Sequence, residues 1–168
     1  MTPPVVSIVA KSGTGKTTLL EKLISELKYR GYRVGAVKHD AHSFSIDHEG
    51  KDSWRLTNAG ADTMLVTSPE KVAMVKQNPD TEPILTETIA NYCGDLDIVL
   101  TEGFKRSTMP KIEVHRRERS DKLLCRGDGY DPKLFAVASD SSLELDVPVY
   151  DINDASGLCD LIVERFMK

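Results

Sequence analysis

Residues 10–17 read Ala-Lys-Ser-Gly-Thr-Gly-Lys-Thr, types and spacing that suit a polyphosphate. A phosphate-binding loop is written G-x-x-x-x-G-K-[ST], placed after a strand and before a helix. Ala10 replaces the first glycine; the other marked positions are present, with an additional glycine at Gly13. Successive backbone N–H groups of such a loop face one concavity, and the helix that follows adds partial positive charge. The residues expected to hold the nucleotide are Lys11, Ser12, Gly13, Thr14, Gly15, Lys16, Thr17 and Thr18. Lys16 is the type that reaches β- and γ-phosphates, and the Thr17 hydroxyl is the type that ligates Mg²⁺. Ala10 requires only a negative φ at its own position. A loop of this kind reads phosphates and does not distinguish ATP from GTP.

A second acid is needed to hold the metal, and Asp-Ile-Val-Leu-Thr-Glu-Gly-Phe (97–104) supplies one. Glu102 falls at the C-terminal end of an apolar strand, the edge where ligands bind in doubly wound sheets. Thr17 and Glu102 are therefore the expected Mg²⁺ ligands, and Asp97 is expected to face solvent at the other end. Val-Ala-Ser-Asp (137–140) ends a later strand. A carboxylate at Asp140 accepting two hydrogen bonds would select guanine, which offers an N1–H and an amino group side by side. The alternative at Asp140 is an ordinary loop-starting acid.

The elements that position these groups follow from periodicity. Val5–Ala10 is a short β-branched run, expected as a buried strand. From Thr17 to Arg30, Leu19, Leu20, Leu23, Ile24 and Leu27 form one helical stripe, and Gly31 suits the helix end. Residues 33–39 read as a second strand, 40–53 as a long polar loop and 53–60 as a short helix. Residues 62–68 and 71–76 read as strands joined by a tight turn, 81–92 as a helix, and 96–102 and 110–116 as strands. The mixed-charge stretch 117–131 is expected to be exposed. Strands at 133–139 and 147–152 and a helix from Asp154 complete the chain. This alternation predicts a three-layer α/β fold with a largely parallel sheet and a small antiparallel piece. With no convincing linker, residues 1–168 are expected to form one nucleotide-binding domain.

Composition sets bounds on partners. Of 168 residues, 40% are hydrophobic and 29% charged, and the formal net charge is −4. An acidic chain is a poor general binder of nucleic acid or anionic membrane. Cys93, Cys125 and Cys159 are scattered, so reduced thiols and no cysteine metal site are expected, consistent with the cytoplasm. Met-Thr-Pro-Pro-Val-Val lacks the basic and long apolar regions of a signal peptide, and no apolar run reaches the ~20 residues of a membrane helix.

Several separated stretches add to the loop: Val37–Ser53, Ala59–Asp62, Thr101–Lys105 and Pro110–Arg116. Together with Ser12–Leu23 they resemble the MobB family, adapter proteins of molybdopterin-guanine dinucleotide biosynthesis. The resemblance implies a P-loop NTPase-like fold, GTP and Mg²⁺ as ligands, weak GTP hydrolysis and a homodimer. It also implies work beside the molybdenum cofactor guanylyltransferase on the molybdopterin cofactor. It singles out Lys38, His39, His42, Asp47, Gly50, Lys51, Asp52, Ser53, Glu102, Gly103, Phe104 and Lys105 in addition to the loop. Dimeric ATPases with a deviant loop carry a second lysine where Lys11 stands; a solvated loop lysine is the competing reading. A P-loop nucleoside or small-molecule kinase is the main alternative. It needs an arginine-bearing lid, for which only 117–127 is a candidate.

Two further clusters remain. His39, His42 and His48 with Asp40 and Asp47 have no cysteine nearby and match no common zinc spacing, so a ligand-contacting loop is expected over a metal site. Lys105, Arg106, Lys111, Arg116, Arg117 and Arg119 are the one basic concentration in the chain. They form either a solvated surface or a docking face for an acidic partner or a phosphorylated pterin.

Overall fold

The computed structural model describes residues 2–40, 44–77 and 83–168, which divide into two compact units. The first comprises Met1–His39 and Thr88–Lys168, and the second Asp40–Glu87. The elements in chain order are β1 (Val5–Val9), α1 (Lys16–Tyr29), β2 (Val34–Lys38), α2 (Asp52–Asn58), β3 (Thr63–Thr67) and β4 (Val72–Lys76). They continue with α3 (Leu85–Tyr92), β5 (Ile98–Glu102), β6 (Lys111–His115), β7 (Leu134–Ser139), β8 (Val149–Asp151) and α4 (Ala155–Phe166).

The first unit is built on a six-stranded sheet in the order β2-β5-β1-β6-β7-β8, with every neighbouring pair parallel. Parallel strands are buried on both faces, which is why β1, β5, β6 and β7 are almost wholly inaccessible. Side-chain alternation divides the core. Val6, Ile8, Ile112 and Val114 meet Leu19, Leu23 and Leu27 of α1 and Leu158, Cys159 and Ile162 of α4 on one face. Val9 and Val137 meet Cys125, Leu134, Leu143 and Leu145 on the other. Gly31, at φ +91°, ends α1 as its position predicted, and Asp154 caps α4 by accepting the Gly157 N–H at 2.8 Å. The second unit carries the antiparallel hairpin β3–β4 and helix α2.

The stretch 117–131 is mostly exposed, as expected, but its middle, Leu123–Cys125, is drawn in. It is held against the sheet because β6 alternates apolar residues with Lys111, Glu113 and His115, all buried. Glu113 accepts the N–H groups of Leu124 and Cys125 at 2.6 and 2.9 Å. Lys111, grouped in sequence with a basic surface expected to be either solvated or a docking face, is 1% exposed and pairs with Asp131 at 2.7 Å and with the Ser107 carbonyl. His115 bonds the Ser120 carbonyl through Nε2 and the Ser139 hydroxyl through Nδ1. A charged strand face is thus neutralised by the segment that follows it, and the apolar Leu123, Leu124 and Cys125 go inward with it. Helix α3 starts at Leu85 rather than in the expected 81–82 region, which lies outside the described residues.

All three thiols are free. Burial pushes Cys125 and Cys159 up to about 12, and raises half-buried Cys93 as well. Alkylation at pH 8 is expected to modify Cys93 first and to reach the other two only on unfolding. Equal rates at all three in the native protein, read by mass spectrometry, would contradict this burial.

Candidate functional site

The loop between β1 and α1 is shaped by two glycines. Gly13 and Gly15 have φ of +75° and +94°, values L side chains rarely adopt, so both are required as glycine. Ala10 is fully buried and is not among the left-handed residues, which explains why alanine serves there. Thr14 is buried and closes the loop by donating its hydroxyl to the Lys11 carbonyl at 2.7 Å. Gly15 caps α1 with no side-chain acceptor, so the first-turn N–H groups around Lys16, Thr17 and Thr18 are not satisfied by a cap side chain. That is the arrangement of a helix N-terminal anion site.

Strand β5 delivers Glu102 to this edge. The Thr17 hydroxyl donates to Glu102 Oε2 at 3.0 Å, bringing together the two predicted metal ligands, which lie 85 positions apart in the chain. One hydroxyl and one carboxylate are hard oxygen donors. Mg²⁺ takes one or two such protein ligands and fills its octahedron with waters and substrate phosphates, so the donor set fits the ion.

Cations gather around the same point. Burial lowers the Lys16 pKa, Glu102 opposes this, and the neighbouring charges of Lys105 and Lys38 push it down further. Lys38 ends β2 in register with Glu102. The chain turns sharply after Glu102, with Gly103 and Phe104 both left-handed at φ +94° and +46°. A phenylalanine there is strained by about 1–2 kcal/mol. It lies against His39, ring centroids 4.9 Å apart, and the His39 N–H donates to the Glu102 carbonyl at 3.0 Å. This turn keeps Lys105 close enough to Lys16 to act on it.

Comparison with known proteins gives the family. The family model described as "Molybdopterin guanine dinucleotide synthesis protein B" (MobB) matches residues 5–140. The chain belongs to the MobB family. It is 41% identical to the molybdopterin-guanine dinucleotide biosynthesis adapter protein of Escherichia coli K12 over 170 residues, covering 98% of this chain and 94% of the relative. Identity to the Haemophilus influenzae protein of the same description is 39%, covering 95% and 87%. Among solved structures, a molybdopterin-guanine biosynthesis protein B (mobB) matches with a TM-score of 0.77 at 27% identity, over 95% of this chain and 98% of that one. A MobB homologue from Bacillus stearothermophilus matches with 0.71 at 26%, over 95% of each chain. The fold is that of MobB: a mostly parallel sheet with helices and a small antiparallel sheet.

Within this MobB fold, Lys11 does not point into open solvent: its ammonium group donates to the Ser120 hydroxyl. Asp140 follows β7 on the same ligand-facing edge. It borders a cleft of about 470 Å³ lined also by Ser139, Ser141, Leu143, Tyr150 and Asp151. Its Oδ1 accepts the Arg117 N–H at 3.0 Å, and its Oδ2 lies 3.8 Å from Arg116. Asp47, Gly50, Lys51, Asp52 and Ser53 belong to the second unit, and His42 lies outside the described residues. Among the described residues no cluster of three metal-ligating side chains exists, and no helix is long and apolar enough to cross a membrane.

Two residues of the site were not assigned to it from sequence. Arg116 donates from Nε to the Thr14 carbonyl at 3.0 Å, and a side chain at Gly15 would meet its guanidinium at 3.7 Å. Arg119 lies 3.9 Å from the corresponding position at Gly13. The available signal was placement: Arg116 directly follows β6, the strand adjoining β1, and Arg119 comes three residues later.

Proposed function

We propose that this MobB chain is a GTP-binding adapter in molybdopterin-guanine dinucleotide synthesis, with hydrolysis slow at most. The observation that carries the nucleotide reading is the loop 10–17 with its two left-handed glycines, Lys16, and Thr17 held against Glu102. Loop amides and Lys16 grip the triphosphate. Thr17 and Glu102 hold Mg²⁺, which when bound neutralises charge on the β- and γ-phosphates. Asp140, bordering its cleft, reads the N1–H and amino group of guanine. Glu102 is engaged by Thr17 and has Lys16, Lys38 and Lys105 near it. That is an arrangement for gripping an anion rather than for activating a water.

The whole chain acts as one functional domain, a homodimer in the cytoplasm. It works beside the guanylyltransferase that joins GMP to molybdopterin, with molybdopterin as its second small partner. The role named for the Escherichia coli and Haemophilus influenzae relatives supports this reading. The kinase alternative is disfavoured. Its only lid candidate, 117–127, is tied to the sheet through Glu113, which accepts the Leu124 and Cys125 N–H groups, and its own Cys125 is buried.

Calorimetric titration with GTP, GDP and ATP, with and without Mg²⁺, tests the proposal. GTP is expected to bind tightest and to need Mg²⁺ for full affinity. Asp140→Asn is expected to reduce the preference for GTP over ATP several-fold. No binding of any nucleotide would overturn the nucleotide reading, and an unchanged preference in Asp140→Asn would remove Asp140 from it.

A further inference from the structure

Resting on that reading, we infer that Arg116 is a positioning residue whose guanidinium fork links the phosphate loop to the base-reading acid. The fork reaches three places. Nε donates to the Thr14 carbonyl at 3.0 Å, inside the loop. Nη1 lies 3.8 Å from Asp140 Oδ2. Nη2 borders Gly15, where a Cβ would stand 3.7 Å away, beside the first-turn amides expected to bind phosphate.

The backbone fixes this fork from both ends. Arg116 directly follows β6, whose His115 is held by Ser120 and Ser139, and Asp140 directly follows Ser139 of β7. The next backbone N–H, that of Arg117, is bound to Asp140 Oδ1. Arginine suits such a station because its five donors lie in one plane, whereas a lysine ammonium acts as a point charge. In this arrangement one side of the fork balances Asp140 while the other faces the phosphate position. The fork holds Asp140 in one orientation toward the base position while its other side meets the phosphates, so losing it impairs both the grip and the reading of the base. Filling of the loop and reading of the base are thereby coupled through one side chain.

The test uses the full chain and three probes: GTP, ATP and inorganic tripolyphosphate, each titrated against wild type, Arg116→Ala, Arg116→Lys and Lys16→Ala. Arg116→Ala is expected to weaken tripolyphosphate about tenfold and to cut the GTP-to-ATP affinity ratio several-fold. Arg116→Lys is expected to recover most tripolyphosphate affinity and leave the ratio impaired, because charge returns without the fork. An unchanged ratio in Arg116→Ala, or a ratio fully restored by Arg116→Lys, overturns the inference. Circular dichroism melts show that each variant is folded. Lys16→Ala separates the two claims: if tripolyphosphate binds it as it binds wild type, the phosphate-loop reading itself fails.

Discussion

Lys16→Ala is expected to weaken GTP and tripolyphosphate binding at least tenfold while the fold is kept. Lys16 is the first residue of α1, beside first-turn N–H groups that no cap side chain satisfies. Hydrogen bonds to charged groups contribute about 1.5–3 kcal/mol each, and 1.4 kcal/mol is a factor of ten in Kd. The loss must exceed that of any single neighbouring cation, because Lys38 and Lys105 act on Lys16 from the side whereas Lys16 stands in the loop itself. Alanine is the best helix former, so the substitution does not compromise α1. The lowered Lys16 pKa reflects burial and surrounding positive charge, a local excess that an incoming phosphate relieves. Calorimetry at fixed Mg²⁺ reads the effect; affinity equal to wild type would remove the loop from nucleotide binding.

What was legible in the sequence is what depends on local pattern. The stripe Leu19, Leu20, Leu23 and Leu27 fixed the buried face of α1, and the apolar run at β5 fixed the edge at which Glu102 emerges. Thr17 and Glu102 were paired from their positions at the ends of neighbouring elements, and they meet at 3.0 Å. The rest depended on strand order. That β6 adjoins β1 decides that Arg116 and Arg119 come over the loop, and a surface of basic residues looks the same in sequence wherever its strand inserts. Lys111 shows the limit most sharply. Its charge argued for solvent, but its strand is central and buried, so a partner 20 positions away had to come in with it. Periodicity along a strand reveals which residues share a face. It does not reveal that a polar face will be covered by a later segment.

That buried pair yields the largest effect expected on stability. Asp131→Ala removes the carboxylate 2.7 Å from the Lys111 ammonium and leaves a side chain 1% exposed whose one other partner among the described residues is the Ser107 carbonyl. Breaking one partner of a buried pair costs about 3–5 kcal/mol, because a charge stays desolvated without compensation. At this chain length each kcal/mol moves Tm by roughly 2–4 °C, so a fall on the order of 10 °C is expected by calorimetry. Asp131→Leu combined with Lys111→Met should recover most of it, since the penalty lies in the orphaned charge rather than in lost attraction. The pH dependence has a definite sign. Burial raises the Asp131 pKa, but the Lys111 hydrogen bond, the Lys133 N–H and nearby positive charge outweigh it, leaving the pKa below the ordinary 3.8. The stabilisation is therefore present above pH 3.8 and is lost as pH falls through the lower folded value. The Tm gap between wild type and Asp131→Ala should be full at neutral pH and shrink below pH 4. A gap that persists unchanged there would mean that the variant fails for another reason, such as loss of the Asp131–Lys133 turn. Because the same segment carries Arg119 to the loop and follows directly on Arg116, Asp131→Ala should also weaken tripolyphosphate binding at temperatures where it is still folded. Full affinity under those conditions would separate the anchoring of this segment from the site it borders.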